Sequence, residues 1–327
     1  MDLSLQELCR AVQDGKISPV ASVDACLARI QRLNPSLNAF VFVCPDQARA
    51  EAARQQKLLS EGESPGPLAG VPFGVKDLED VAGLPTSYGA KPMADNIATR
   101  DSVVVERLRA AGAIVVGKTN TPLFGSTAYC KNLLFGATRN PWNLEKTPGG
   151  SSGGSAAAIA SRMCPLATAA DGGGSIRIPA TFVGAFGMKP SFGRVPMTEG
   201  EQFGMDKWVD CVHFGPLTRT VADAALFMDL TVGYSPRDAN SLPHPGFSYA
   251  ELLLEQAPRF EAVRQLRFGW SPDLGYISAC DPAVLASCQV RLQHCRVQYV
   301  AARFYAPSNL FDCSLTYSLI SAHLHVY

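Results

Sequence analysis

The sequence is short of everything that would mark a protein recruited by bulk electrostatics or by lipid. Lys and Arg number 29 against 29 Asp and Glu, so no net charge draws the chain to nucleic acid, to an anionic membrane or to an acidic substrate. No apolar run approaches the roughly 18 residues that a membrane-spanning helix needs. The first stretch, MDLSLQELCRAVQDGK, carries Asp2 and Glu7 and lacks the basic start and apolar centre of a secretory leader, so a cytoplasmic protein is expected. Histidine is scarce, with five in the chain. The ten cysteines run from Cys9 to Cys313 without one C-x-x-C pair, which argues against a disulfide framework and for reduced, buried thiols. Cys288, His294, Cys295, His323 and His325 fit no standard metal spacing, so neither metal nor other cofactor is expected. The partner is expected to be a small molecule read locally.

What is present suits a large folded core: 327 residues, 47% of them hydrophobic. Ser4 followed by Glu7 is a capping box for a first helix. Ser18-Pro19 opens a second, with Val23, Leu27, Ile30 and Leu33 on one stripe and Asn34-Pro35 as its expected stop. Strands are expected at 37–43, 69–77, 113–118 and 165–170, and helices at 46–59, 101–111 and 155–162. This alternation predicts an α/β fold around a mixed or largely parallel sheet.

The chain's most unusual stretch is Pro148 to Pro179, where two Gly/Ser clusters, GGSSGGS at 149–155 and DGGGS at 171–175, flank a helix-like and a strand-like run. Glycine lets backbone N–H groups converge on an anion, and serine beside it supplies a nucleophile or a proton relay. If 155–162 is the crossover helix and 165–170 the returning parallel strand, both clusters meet at the carboxyl edge of the sheet. Lys76, at the end of its own strand, joins them there if that strand is parallel too. Amide cleavage requires a nucleophile, a base, donors for the oxyanion and an acid for the leaving amine: the N–H groups of Gly172, Gly173, Gly174 and Ser175 can converge on one oxygen, Ser151 sits in the other cluster, and a lysine desolvated against the apolar strand can act as base. No histidine is needed.

Two rival motifs match by letter. Residues 112–119, GAIVVGKT, fit the P-loop pattern, but their Ala-Ile-Val-Val interior reads as strand core and Asn120-Thr121-Pro122 interrupts the helix that should follow. Gly150-Ser151-Ser152-Gly153-Gly154 fits the nucleophile elbow, with Ser152 attacking, yet that assignment leaves DGGGS without a role.

In order along the chain, GVPFGVKD, GKTNTP, FGATRNPWN, PGGSSGGSAAAIA, DGGGSIRIPA, GMKPSFGRVP and GPLTRTVADAA resemble the amidase signature family of Ser-cisSer-Lys hydrolases, over roughly residues 1–275. The resemblance implies a twisted, largely parallel mixed sheet covered by helices on both faces. It also implies a catalytic set of Lys76, Ser151 and Ser175, with a cis peptide before Ser151. Asp171 and Arg177 would brace the nucleophile loop, Ser152 would bond near the relay, and the loop 124–129, FGSTAY, with Gly125, Ser126, Thr127 and Tyr129, would line the acyl pocket. The substrate implied is a small amide, with no direct role for nucleic acid or membrane. A homodimer, or the partner subunits of a tRNA-dependent amidotransferase, are the assemblies it allows.

The resemblance fades toward the end. The last 38 residues hold no glycine and one acidic residue, Asp312, where the family pattern continues for much longer. The expectation is an amidase core over 1–285, C-terminally incomplete, with a divergent, disordered tail at 286–327. Two alternatives follow: an inactive remnant or interaction subunit, and the glutaminase-type subunit of an amidotransferase.

Overall fold

A computed structural model describes residues 2–198, 211–256, 268–273, 277, 279–294 and 299–301. The chain divides into two compact units, residues 1–250 and 251–327. Along the first unit run α1 (Leu5–Gln13), α2 (Pro19–Leu37), β1 (Phe40–Val43), α3 (Pro45–Ser60), β2 (Pro72–Lys76), α4 (Val103–Ala110) and β3 (Ile114–Thr119). A two-residue pair, β4 (Lys131–Asn132) and β5 (Gly136–Ala137), precedes α5 (Gly153–Ala160), β6 (Leu166–Asp171), α6 (Arg177–Val183), β7 (Phe186–Gly187), β8 (His213–Thr218) and α7 (Val221–Thr231).

Six strands make one sheet in the order β1-β3-β2-β6-β8-β7. β2 runs parallel to both β3 and β6, while β1, β8 and β7 pair antiparallel at the flanks. The expected mixed sheet therefore has a parallel centre. Alternation along each strand divides its side chains between two cores. On one face Phe73, Val75, Leu166 and Phe214 pack with Leu5 and Leu8 of α1, Val105 and Leu108 of α4, and Phe227 of α7. On the other, Phe40, Ile114, Val116, Ala167 and Leu217 pack with Val23, Leu27 and Ile30 of α2 and Ala156–Ile159 of α5.

Local chemistry sets the helix ends. The capping box forms, with Ser4 Oγ accepting the Glu7 N–H at 3.2 Å and the Glu7 carboxylate accepting the Ser4 N–H at 2.7 Å. Asn34-Pro35 does not stop α2, which continues to Leu37. A proline one turn from the end removes one helical bond and its fixed φ suits the helix. The stop is Asn38, at φ 51°, with the Asn34 side chain accepting the N–H groups of Ala39 and Phe40 at 2.8 Å each. Helix α5 begins at Gly153, two residues before its expected start at 155, and a side chain there is excluded, because a Cβ on Gly153 would sit 2.4 Å from that of Cys130. Residues 112–119 form the strand β3 and its approach, with Lys118 buried inside the sheet, so the P-loop alternative is discarded.

In the second unit Phe268–Trp270 pairs in parallel with Tyr299–Ala301, and a helix spans Pro282–His294. The tail expected at 286–327 lies mostly outside the described residues, as do Cys295, His323 and His325. Among the described residues no helix is long and apolar enough to cross a membrane, and no His, Cys, Asp and Glu cluster could hold a metal ion.

Candidate active site

The parallel strands β2 and β6 bring their carboxyl ends to one edge of the sheet, and the two Gly/Ser clusters meet there. All five residues of β2 are buried, and its last, Lys76, is anchored through its backbone N–H to Thr168 Oγ1 of β6 at 3.0 Å. This holds the lysine side chain in line with Ser151: Nζ lies 2.7 Å from Ser151 Oγ and 3.4 Å from the carbonyl oxygen of Ala170. Lys76 and Ser151 are both buried, and the Gly150–Ser151 peptide is cis. A side chain at Gly150 is excluded, because its Cβ would lie 2.8 Å from both Thr127 O and Tyr129 N, two backbone atoms of the facing loop.

Ser152 ties the clusters together. Its N–H donates to Ser175 O at 3.2 Å, and its hydroxyl bonds Ala170 through the carbonyl at 3.3 Å and the N–H at 3.4 Å. Fully buried and turned to the strand, Ser152 is a support and not an exposed nucleophile, which removes the elbow alternative.

The DGGGS turn is built around Asp171. Its carboxylate accepts the N–H groups of Gly174 at 2.7 Å and Ile176 at 3.1 Å, and the Nε and Nη2 groups of Arg177 at 2.9 Å each. Burial alone raises the carboxyl pKa, but the Arg177 fork, its charge and the two N–H groups outweigh it and hold Asp171 below the ordinary aspartate range. This arrangement corrects one expectation. The Gly174 N–H is occupied by Asp171 and does not join an oxyanion nest. Among the described residues, the N–H groups of Gly172, Gly173 and Ser175 have no hydrogen-bond acceptor.

A cavity of about 690 Å³ opens over this edge. Lys76, Ser151, Gly172, Gly173 and Ser175 line one side of it, and Gly125, Ser126 and Thr127 line it from the loop. Tyr129 is not part of the wall; its side chain, 53% exposed, stands outside. Ser175 is half-buried and, among the described residues, makes no hydrogen bond to Ser151 through its hydroxyl.

Several site residues carry no clear mark in the sequence. Thr168, a polar residue inside an alanine-rich strand, signals a partner without naming it. His213 begins β8 opposite Asp171, its Nδ1 3.2 Å from Asp171 O and its ring edge-on to Phe192. Burial, with the positive charge of Lys189, holds the imidazole below its ordinary pKa. Lys118, in the sequence a letter of the P-loop match and of the GKTNTP block with no role assigned, is a second buried lysine. Its Nζ lies 3.3 Å from Asp77 and bonds Pro85 O at 3.0 Å and Thr86 Oγ1 at 2.9 Å. Burial lowers its pKa, against the opposing pull of Asp77 and Asp80. Tyr88, an aromatic wall residue, gives no periodic signal at all, and Phe124 beside it falls in the loop 124–129 expected at the acyl pocket.

Comparison with known proteins agrees with this architecture. The Amidase family model matches residues 21–326. An acylamidase from Rhodococcus erythropolis is 44% identical over 286 residues, covering 88% of this chain and 58% of the relative. A glutamyl-tRNA(Gln) amidotransferase subunit from Pseudomonas fluorescens is 41% identical over 249 residues, covering 76% of this chain and 50% of the relative. A bacterial aryl acylamidase structure superposes with a TM-score of 0.82 at 32% identity, over 91% of this chain and 61% of that one. The chain thus spans a little over half the length of such relatives. A match from residue 21 to residue 326, with the same fold in the solved relative, carries the conclusion: the chain belongs to the amidase signature family.

Proposed function

We propose that the chain hydrolyses carboxylic amides through an acyl-enzyme on Ser175, with Ser151 and Lys76 as its proton relay. The observation that carries this is the 2.7 Å bond from Lys76 Nζ to Ser151 Oγ inside a cavity that Ser175 also lines. Removing an amine from water disfavours its charged form. Neutral Lys76 takes the Ser151 proton, Ser151 takes that of Ser175, and Ser175 Oγ attacks the amide carbon. The oxyanion is received by the N–H groups of Gly172, Gly173 and Ser175. On collapse the C–N bond breaks and the relay returns its proton to the leaving amine. A water, deprotonated along the same path, then attacks the ester to release the acid and restore Ser175.

Asp171 and Arg177 hold the turn that presents Ser175, and Ser152 fixes its distance from the Ser151 loop. The test is hydrolysis of a panel of small amides, with mass spectrometry of the trapped acyl-enzyme. Ser175→Ala is expected to abolish both turnover and acylation. Turnover that survives this substitution would refute the mechanism.

A second reading, the glutaminase-type subunit of an amidotransferase working with partner subunits, is favoured by the 41% identity to one such protein. It predicts glutamine as the preferred amide in the same panel. An inactive remnant predicts a folded protein that acylates with none of them.

A further inference from the structure

Lys76 and Ser151 come from different segments, the end of β2 and the loop that opens α5, so their 2.7 Å contact requires both segments to be fixed to one point. The sheet ladder does not supply it. Strands β2 and β6 pair through Phe73 with Leu166 and Gly74 with Ala167, and the pairing ends there, short of Lys76. The next residue of β6 is Thr168.

Thr168 bonds in both directions. Its Oγ1 accepts the backbone N–H of Lys76 at 3.0 Å, beyond the end of the ladder, and its carbonyl oxygen accepts the Ser155 hydroxyl at 2.8 Å. Ser155 lies in the first turn of α5, which follows Ser151 and Ser152 directly. Its Oγ is also 2.7 Å from Oγ1 of Thr119, the β3 residue in register with Lys76. The single proton of the Ser155 hydroxyl goes to Thr168 O, so Thr119 is the donor of this second bond. Thr119, Ser155 and Thr168 are all buried, where a hydrogen bond left unmade is costly and a complete set holds one arrangement.

We propose that Thr168 is a positioning residue of the relay: its side chain holds Lys76, and its backbone, by way of Ser155, holds the loop that carries Ser151. The assignment rests on the amide-hydrolysis reading above. Thr168 is buried behind the cavity wall and acts only through these bonds, which set the distance over which Lys76 takes the Ser151 proton. A displacement of about 1 Å in such a contact lowers the rate by about 100-fold.

The test compares Thr168→Val, which keeps the branched shape and removes the acceptor, with Thr168→Ser, which keeps the acceptor. On the amide that the parent turns over fastest, Thr168→Val is expected to lower kcat by about 10- to 100-fold while KM changes by less than about 2-fold. Thr168→Ser should restore kcat to within about 3-fold of the parent. Crystal structures give a readout independent of turnover. Lys76 Nζ and Ser151 Oγ should stay in contact in the parent and in Thr168→Ser, and separate beyond about 3.5 Å in Thr168→Val. Ser155→Ala loosens the other half of the clamp with a residue that suits a helix, and it carries the test if Thr168→Val does not fold. It should lengthen the same contact and lower kcat by about 3- to 10-fold. A contact unchanged in Thr168→Val or in Ser155→Ala, or equal kcat in Thr168→Val and Thr168→Ser, overturns the assignment. A parent that cleaves no amide while the contact still breaks in Thr168→Val refutes the hydrolytic reading and supports the positioning role.

Discussion

Asp171→Asn is the substitution on which the nucleophile turn depends most directly. The carboxylate is buried and receives donors on both oxygens: Gly174 N–H and Arg177 Nη2 on Oδ1, Ile176 N–H and Arg177 Nε on Oδ2. Asparagine replaces one oxygen by an NH₂ group, so two donors face a third and the Arg177 charge loses its counter-ion in a buried setting. Breaking a buried pair in this way costs about 3 to 5 kcal/mol. For a unit of this size that corresponds to a Tm drop of roughly 6 to 20 °C, measurable by calorimetry. The pH dependence gives a stricter check. The folded carboxyl pKa lies below the ordinary value of about 3.9. Its contribution is therefore complete above that value and is lost as pH falls through the lower, folded pKa. The Tm gap between parent and variant should be constant from about pH 5 to pH 8 and should close only in stronger acid. A gap that closes already between about pH 7 and pH 5, or one of under about 1 kcal/mol at neutral pH, would refute the account of the turn.

Two further outcomes follow from the same edge of the sheet. Gly150→Ala forces a Cβ to within 2.8 Å of the Thr127 carbonyl oxygen and the Tyr129 nitrogen, so the loop must shift. We expect about 1 to 3 kcal/mol of destabilisation by urea melts and a fall of about 100-fold in kcat as Ser151 leaves its place beside Lys76. His213 is held neutral by burial and by the Lys189 charge, so its folded pKa is below the unfolded value of about 6.5. The stability tied to it is complete above that value and declines as pH falls through it, and His213→Gln should flatten the urea midpoint between about pH 7.5 and pH 5.5. An equally steep variant would show that the imidazole is not responsible.

The proposed relay is legible in the sequence because its chemistry is carried by residue type at fixed places in the chain. Ser151 and Ser175 sit in glycine-rich turns, and Lys76 closes a strand whose neighbours Phe73 and Val75 announce burial by alternation. The helix ends are less so. Asn34-Pro35 looks like a stop by local preference, yet α2 gains from burying Leu37, and that tertiary contribution overrides the local signal. Tyr88 is not legible at all and Phe124 is reached only through the resemblance, as the start of the loop 124–129, since both lie in loops, where neither a period of 2 nor one of 3.6 marks the inward face. Their left-handed φ values belong to the fold around them and not to their own sequence.

The glycine-rich turn shows how far residue counting goes. Three glycines and a serine after Asp171 suggest four converging N–H groups, but the carboxylate that begins the turn is itself the strongest acceptor in it. It captures Gly174 and Ile176 and leaves Gly172, Gly173 and Ser175. The acid that shapes the nest thereby sets its size: a turn with fewer internal bonds would offer more donors to an oxyanion but would not hold them in place. The antiparallel strand β8 contributes at this point in a way a parallel crossover argument cannot foresee. Because β8 starts where β6 ends, with His213 paired to Asp171, it delivers Cys211 and Val212 to the cavity and an imidazole to the Asp171 carbonyl. Asp171 is thus fixed from two sides, by Arg177 through the side chain and by His213 through the backbone. The turn then leaves the sheet from a fixed Asp171, and its Ser175 end is tied to the other Gly/Ser cluster through the Ser152 N–H.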